Sequence, residues 1–109
     1  MAKFELYKDK AGEFRFLLKA NNGQNILKSE GYKSKSNCEN GINSVKSNAT
    51  NHARYQRAQS KNGEPYFNLK ASNGQIIGTS EMYTSVSAME NGMDSVKTNA
   101  PNAEVVYRY

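Results

Sequence analysis

Phe4 and Leu6 alternate with polar residues near the start of the chain, and Phe14, Phe16, Leu18 and Ala20 alternate in the same way a little further on. A period of two puts one row of side chains on a buried face and the other in water, so both stretches predict half-buried strands. Gly12 lies in the turn between them. Asn22-Gly23 closes the second stretch and predicts a tight hairpin turn, because Asn-Gly accepts the positive φ values such turns need. A third strand is expected near residues 24–29. The period then changes: Cys38, Ile42, Val45 and Ala49 recur at the spacing of one helical face. Ser36-x-x-Glu39 reads as a capping box, with serine and glutamate each satisfying a free N–H at the helix start.

The same pattern returns 51 residues later without a gap. Asn22-Gly23-Gln24 recurs as Asn73-Gly74-Gln75, and Ser29-Glu30-x-Tyr32 as Ser80-Glu81-x-Tyr83. Glu39-Asn40-Gly41 recurs as Glu90-Asn91-Gly92, and Ser44-Val45-Lys46 as Ser95-Val96-Lys97. Met89, Met93, Val96 and Ala100 form the second apolar stripe, with Ser87-x-x-Glu90 as its capping box. Strands are expected near 65–71 and 75–80, with Pro65 at a strand start, where a missing N–H is tolerated. Gly41 and Gly92 lie on the buried flank of each helix. Each lowers helix propensity by about 1 kcal/mol relative to alanine, so close packing is expected to compensate. Pro101 helps to end the second helix.

One strand type occurs three times. The segment at Arg54-Tyr55-Gln56-Arg57 aligns backwards with Lys3-Phe4-Glu5-Leu6 and forwards with Val105-Val106-Tyr107-Arg108. It closes the first repeat and opens the second, so the halves should share a core. The chain is expected to be a single domain over 1–109, with repeats at 3–53 and 54–104 and a closing strand at 105–109. The fold class is α+β: a tandem β3-α-β repeat sharing one antiparallel-rich sheet, with both helices on one face and pseudo-two-fold symmetry.

These motifs resemble the YegP-like family of small bacterial and archaeal proteins of unknown function. The resemblance rests on the Asn-Gly-Gln turn, the Ser-Glu-x-Tyr segment and the Asn-Gly-x-x-Ser-Val-Lys helix, and it covers nearly the whole chain twice. It implies tandem β3-α-β units, a single sheet and closing strands exchanged between units. It carries over no activity and no site residues. The second repeat departs in having Met82 for Gly31 and Gly78 for Leu27.

Length and composition agree with this picture: 109 residues suit one domain. The lone cysteine, Cys38, excludes an internal disulfide and points to a reducing, cytoplasmic setting. No apolar leader follows Met1, and no apolar run approaches the ~18 residues of a membrane span. Net charge is +5 and is uneven: residues 1–51 carry 9 basic and 5 acidic side chains, and residues 52–109 carry 6 and 5. Lys28, Lys33 and Lys35 gather near the start of the first helix, where free N–H groups favour anions. They are the candidate anion-binding residues, although the second half replaces them with Thr79, Thr84 and Val86.

Nothing else carries chemistry strongly. His52 is the only histidine, and its repeat counterpart is Ala103. One histidine and one cysteine make no zinc site without carboxylates. Cys38 falls on the apolar helix face. Glu30 and Glu81 form the only symmetric carboxylate pair of interest, and their place in a turn is the simpler explanation. Tyr7, Tyr55, Tyr66, Tyr107 and Tyr109, with Arg15, Arg54, Arg57 and Arg108, would stack nucleobases if they shared one sheet face. No phosphate-binding loop or dinucleotide fingerprint is present. The sequence therefore predicts no enzyme, no cofactor and no metal. It predicts a monomeric, non-catalytic binding module that meets a protein partner through its uncovered sheet face or edge strands. The alternative is weak, non-specific nucleic-acid or polyanion binding through the basic first half.

Overall fold

The computed structural model describes residues 2–109. Each half supplies three strands and a helix. The first gives β1 (Lys3–Lys8), β2 (Phe14–Lys19), β3 (Asn25–Lys28) and α1 (Lys35–Asn48). The second gives β4 (Tyr55–Gln59), β5 (Pro65–Lys70), β6 (Ile76–Thr79) and α2 (Val86–Asn99), and β7 (Glu104–Tyr107) follows. The strands make one seven-stranded sheet in the order β4-β5-β6-β3-β2-β1-β7. All pairings are antiparallel except β1 with β7, which is parallel.

The halves meet at β3 and β6, where Lys28 lies opposite Thr79. These residues are 51 apart, the repeat offset, so the pseudo-two-fold axis passes through this pair. Both helices cover the same sheet face. Phe4, Phe16, Leu18 and Leu27 from the first half and Phe67 and Leu69 from the second share one core with Ile42, Val45, Met93 and Val96 of the helices. The sequence expectation of a shared core with two helices on one face agrees with this arrangement.

Two local expectations are corrected. The hairpin loops are three residues long, and only glycine takes positive φ. At Asn21-Asn22-Gly23, Gly23 N–H donates to Ala20 O at 2.9 Å and Ala20 N–H to Gln24 O at 2.9 Å, with Gly23 at φ +85°. This is the type I turn followed by a bulge glycine. Asn22 keeps negative φ and uses its side chain instead, accepting from Gln24 N–H at 3.0 Å. The second correction concerns the helix starts, which do not use the capping boxes at Ser36 and Ser87. Ser34 and Ser85 are the caps, accepting from Asn37 N–H and Ala88 N–H at 3.1 and 3.0 Å. Ser36 and Ser87 lie inside the first turn, because each helix begins about two residues earlier than the boxes imply.

Candidate functional site

The repeated Ser-Glu-x-Tyr segment is structural. Ser29 N–H donates to Phe16 O while its hydroxyl accepts from Phe16 N–H at 2.9 Å and donates to Glu30 O at 2.8 Å. Ser80 repeats this with Phe67 and Glu81. Tyr32 then stacks on Phe16, with ring centroids 6.5 Å apart, and Tyr83 on Phe67 at 6.4 Å. Each tyrosine hydroxyl abuts the helical glycine, Gly41 or Gly92. Glu30 and Glu81 contribute their main-chain carbonyls here, and both residues are exposed.

Cys38 is fully buried, and burial pushes its thiol up to about 11. His52 is exposed, with Nδ1 2.8 Å from Lys97 Nζ. Among the described residues, no cluster of three His, Cys, Asp or Glu side chains assembles a metal site.

The uncovered sheet face is the first surface able to meet a ligand. Register places Val106, Glu5, Leu17, Lys28, Thr79, Asn68 and Gln56 in one row across it. In the second half the row is neutral: Thr79 Oγ1 donates to Asn68 Oδ1 at 2.9 Å, and Asn68 Nδ2 to Gln56 Oε1 at 3.1 Å. In the first half the face around the row is basic. Lys3, Lys19 and Arg108 approach Glu5 within 3.6, 3.4 and 3.1 Å. Partial burial pushes the Glu5 carboxyl up, but hydrogen bonds and charges from Arg108 and Lys19 outweigh it and hold the group below the usual carboxylate range. Arg15 stands on the same face opposite Tyr7, bound to Asp9 at 2.7 Å.

The three candidate lysines are divided between two places. Lys28 is on this open face at the pseudo-axis, beside Leu17 in register. Lys33 and Lys35 are exposed at the start of α1, and Lys35 Nζ lies 4.9 Å from the centre of the Tyr107 ring. The tyrosines divide as well. Tyr7 and Tyr66 share the open face by register. Tyr55 is buried, with its hydroxyl donating to Ala49 O at 2.6 Å. Tyr107 packs toward α1, its hydroxyl donating to Glu39, a bond that raises the phenol's pKa. Arg54 donates to Asn48 Oδ1 at 3.0 Å, and Arg57 pairs with Glu90 at 3.0 Å. The arginines and tyrosines therefore form no single stacking platform.

The second surface is the outer edge of β4. β1 and β4 are symmetry counterparts, yet β7 covers β1, while β4 pairs only with β5 and ends the sheet. Between this edge and α2 lies a groove with two hollows. One, of about 350 Å³, is lined by Arg57, Ala58, Gln59, Pro65, Val86 and Met89. The other, of about 230 Å³, is lined by His52, Arg57, Glu90, Met93, Asp94 and Lys97. Arg57, paired with Glu90, lines both hollows. The sequence reading named edge strands in general but missed this groove. The signal was the change from Leu6 in β1 to Arg57 at the equivalent place in β4.

The fold and these surfaces define a class: a duplicated strand–strand–strand–helix protein built on one continuous sheet. Residues 9–56 and 60–106 each match the domain of unknown function DUF1508. The UPF0339 protein in the ptx operon 5′ region of Stutzerimonas stutzeri is 59% identical over 103 residues, covering 94% of this chain and 93% of that protein. YegP of Escherichia coli K12 is 50% identical over 102 residues, covering 94% and 93%. The NMR structure of yegP from E. coli superposes with a TM-score of 0.93 at 48% identity, over 98% of this chain and 92% of that one. The NMR structure of a UPF0339 protein from Shewanella oneidensis gives 0.92 at 48% identity, over 97% and 90%. The chain belongs to the UPF0339, or YegP-like, family. These relatives are described as uncharacterised or of unknown function, so they bring no activity to it. Among the described residues, no helix is long and apolar enough to cross a membrane.

Proposed function

We propose that this protein is a cytoplasmic, monomeric, non-catalytic binding module that meets a protein partner by adding a strand to the open edge of β4. One observation carries the reading: β1 is covered by β7, and its symmetry counterpart β4 is bare. Strand addition draws affinity from main-chain hydrogen bonds and specificity from pockets for alternate side chains, and the groove beside β4 offers such pockets. The Arg57–Glu90 pair is about half exposed on both sides. Exposed pairs of this kind are worth about 0–1 kcal/mol, so a partner displaces it at small cost. Panning a randomised peptide library against the protein tests the reading. Selected peptides should slow amide exchange along Tyr55–Gln59. Binders that leave those amides unprotected, or no binders, overturn it.

The basic half of the open face supports a second reading, polyanion binding. Lys3, Lys19 and Arg108 converge on Glu5 alone, with Lys28 nearby in register. Fluorescent single-stranded and duplex DNA and RNA should then bind at about 50 mM salt and weaken steeply by about 200 mM. Changing Lys19 and Lys28 to Ala should weaken binding more than changing Lys33 and Lys35. The opposite ranking moves the site to the start of α1, and no binding at low salt removes this reading.

A further inference from the structure

The covered edge shows what the bare edge would hold. Along β1, residues 105–109 run parallel: Val105 lies opposite Phe4, Tyr107 opposite Leu6, and Arg108 N–H donates to Leu6 O at 2.8 Å. Tyr107 is gripped by Lys35 and Glu39 of α1, and Tyr109 packs edge-on against Phe14 with centroids 5.4 Å apart. An aliphatic residue and two tyrosines thus stand at alternate positions. Carried across by the repeat offset, the receiving positions along β4 are Tyr55 for Phe4, Arg57 for Leu6, Glu90 for Glu39, Val86 for Lys35 and Pro65 for Phe14.

Resting on the strand-addition reading above, we infer that the β4 groove takes an extended segment of another protein in parallel register, with an aliphatic residue opposite Tyr55 and aromatic residues two and four positions later. Three features select that chemistry. Glu90 keeps the carboxylate that accepts a tyrosine hydroxyl in the first half. Val86 is 58% exposed at the position of Lys35, so it offers an apolar contact where the first half offers a cation. Pro65 and Met89 line the apolar hollow at the position where Tyr109 meets Phe14. Arg57 closes the groove in the free protein, and an incoming ring turns it outward. Its guanidinium then lies beside the ring, where a cation–π contact replaces the ion pair.

The test is a titration of isotope-labelled protein with the peptide Val-Val-Tyr-Arg-Tyr carrying a nitroxide at its N-terminus. Saturable amide shifts are expected along β4 and the first turns of α2, with nitroxide broadening at the Arg54 end of the strand. Val86→Asp, a change at an exposed position, should weaken binding about tenfold, and so should alanine in place of both peptide tyrosines. Broadening at the Gln59 end means antiparallel addition. That outcome overturns the inference and leaves strand addition standing. Shifts confined to β1 and α1 show displacement of β7 and overturn it. Shifts nowhere overturn it too, and the library experiment then decides the broader reading. Concentration-dependent self-association abolished by Val86→Asp assigns the groove to a second copy of the chain and likewise overturns the inference.

Discussion

At Gly41, a Cβ would stand 2.6 Å from the Tyr32 hydroxyl oxygen and 3.0 Å from its Cζ. The ring cannot retreat, because it stacks on Phe16 at an interplanar angle of 14°. Gly41→Ala therefore gains about 1 kcal/mol of helix propensity and loses about 1–3 kcal/mol to overpacking. Denaturant unfolding should show net destabilisation, and Tyr32→Phe in the same chain should recover part of it. The sequence showed the glycine and the tyrosine in both repeats. It hid their contact, because the loop that brings Tyr32 under Gly41 has no period to read. Two titratable groups give further predictions at this scale. Cys38 forms thiolate only near pH 11, so thiol reagents at pH 8 should label it no faster than the protein opens. Glu5 titrates below its ordinary range, so its contribution is present above the unfolded pKa of about 4.3 and is lost as pH falls through the lower folded value. Glu5→Gln should flatten that acid limb of the stability curve.

Elements were legible where a period ran long and obscure where a cap or an edge decided. Both helices begin with Ser-x-Ser, at Ser34-Lys35-Ser36 and Ser85-Val86-Ser87. The glutamate three residues beyond the second serine gives that serine a capping-box pattern which the helix start does not use. Backbone geometry selects the first: Ser34 and Ser85 are extended at ψ 154° and 159°, as a capping residue is. Ser85→Ala should cost about 1 kcal/mol in thermal or denaturant unfolding, and Ser87→Ala far less. The β4 edge follows from topology. An inward-facing charge on an edge strand discourages unwanted pairing, and Arg57 stands at such a position on β4. Arg57→Leu restores the residue type of Leu6, and sedimentation should show self-association absent in wild type.

The whole molecule is held at its pseudo-axis by unlike residues in equivalent places. Leu27 is 1% exposed, and a Cβ on its counterpart Gly78 would lie 2.6 Å from Leu27 Cδ2. The sequence displayed this substitution as a departure between the repeats. Its meaning depended on the axis passing next to it, which only the Lys28–Thr79 pairing reveals. Leu27→Ala should cost about 2–5 kcal/mol, and Gly78→Leu should also destabilise through overlap. Exchanging the two, Leu27→Gly with Gly78→Leu, should return much of the lost stability, since the axis makes the sites interchangeable.

That unlike pair also bears on heredity. Recombination between the two coding halves could copy one over the other with little change to most of the protein. Copying the first over the second would set leucine against leucine at the axis, and copying the second over the first would leave a gap there. The two halves began as duplicates, but each is now fitted to the other, and selection would resist any event that made them identical again.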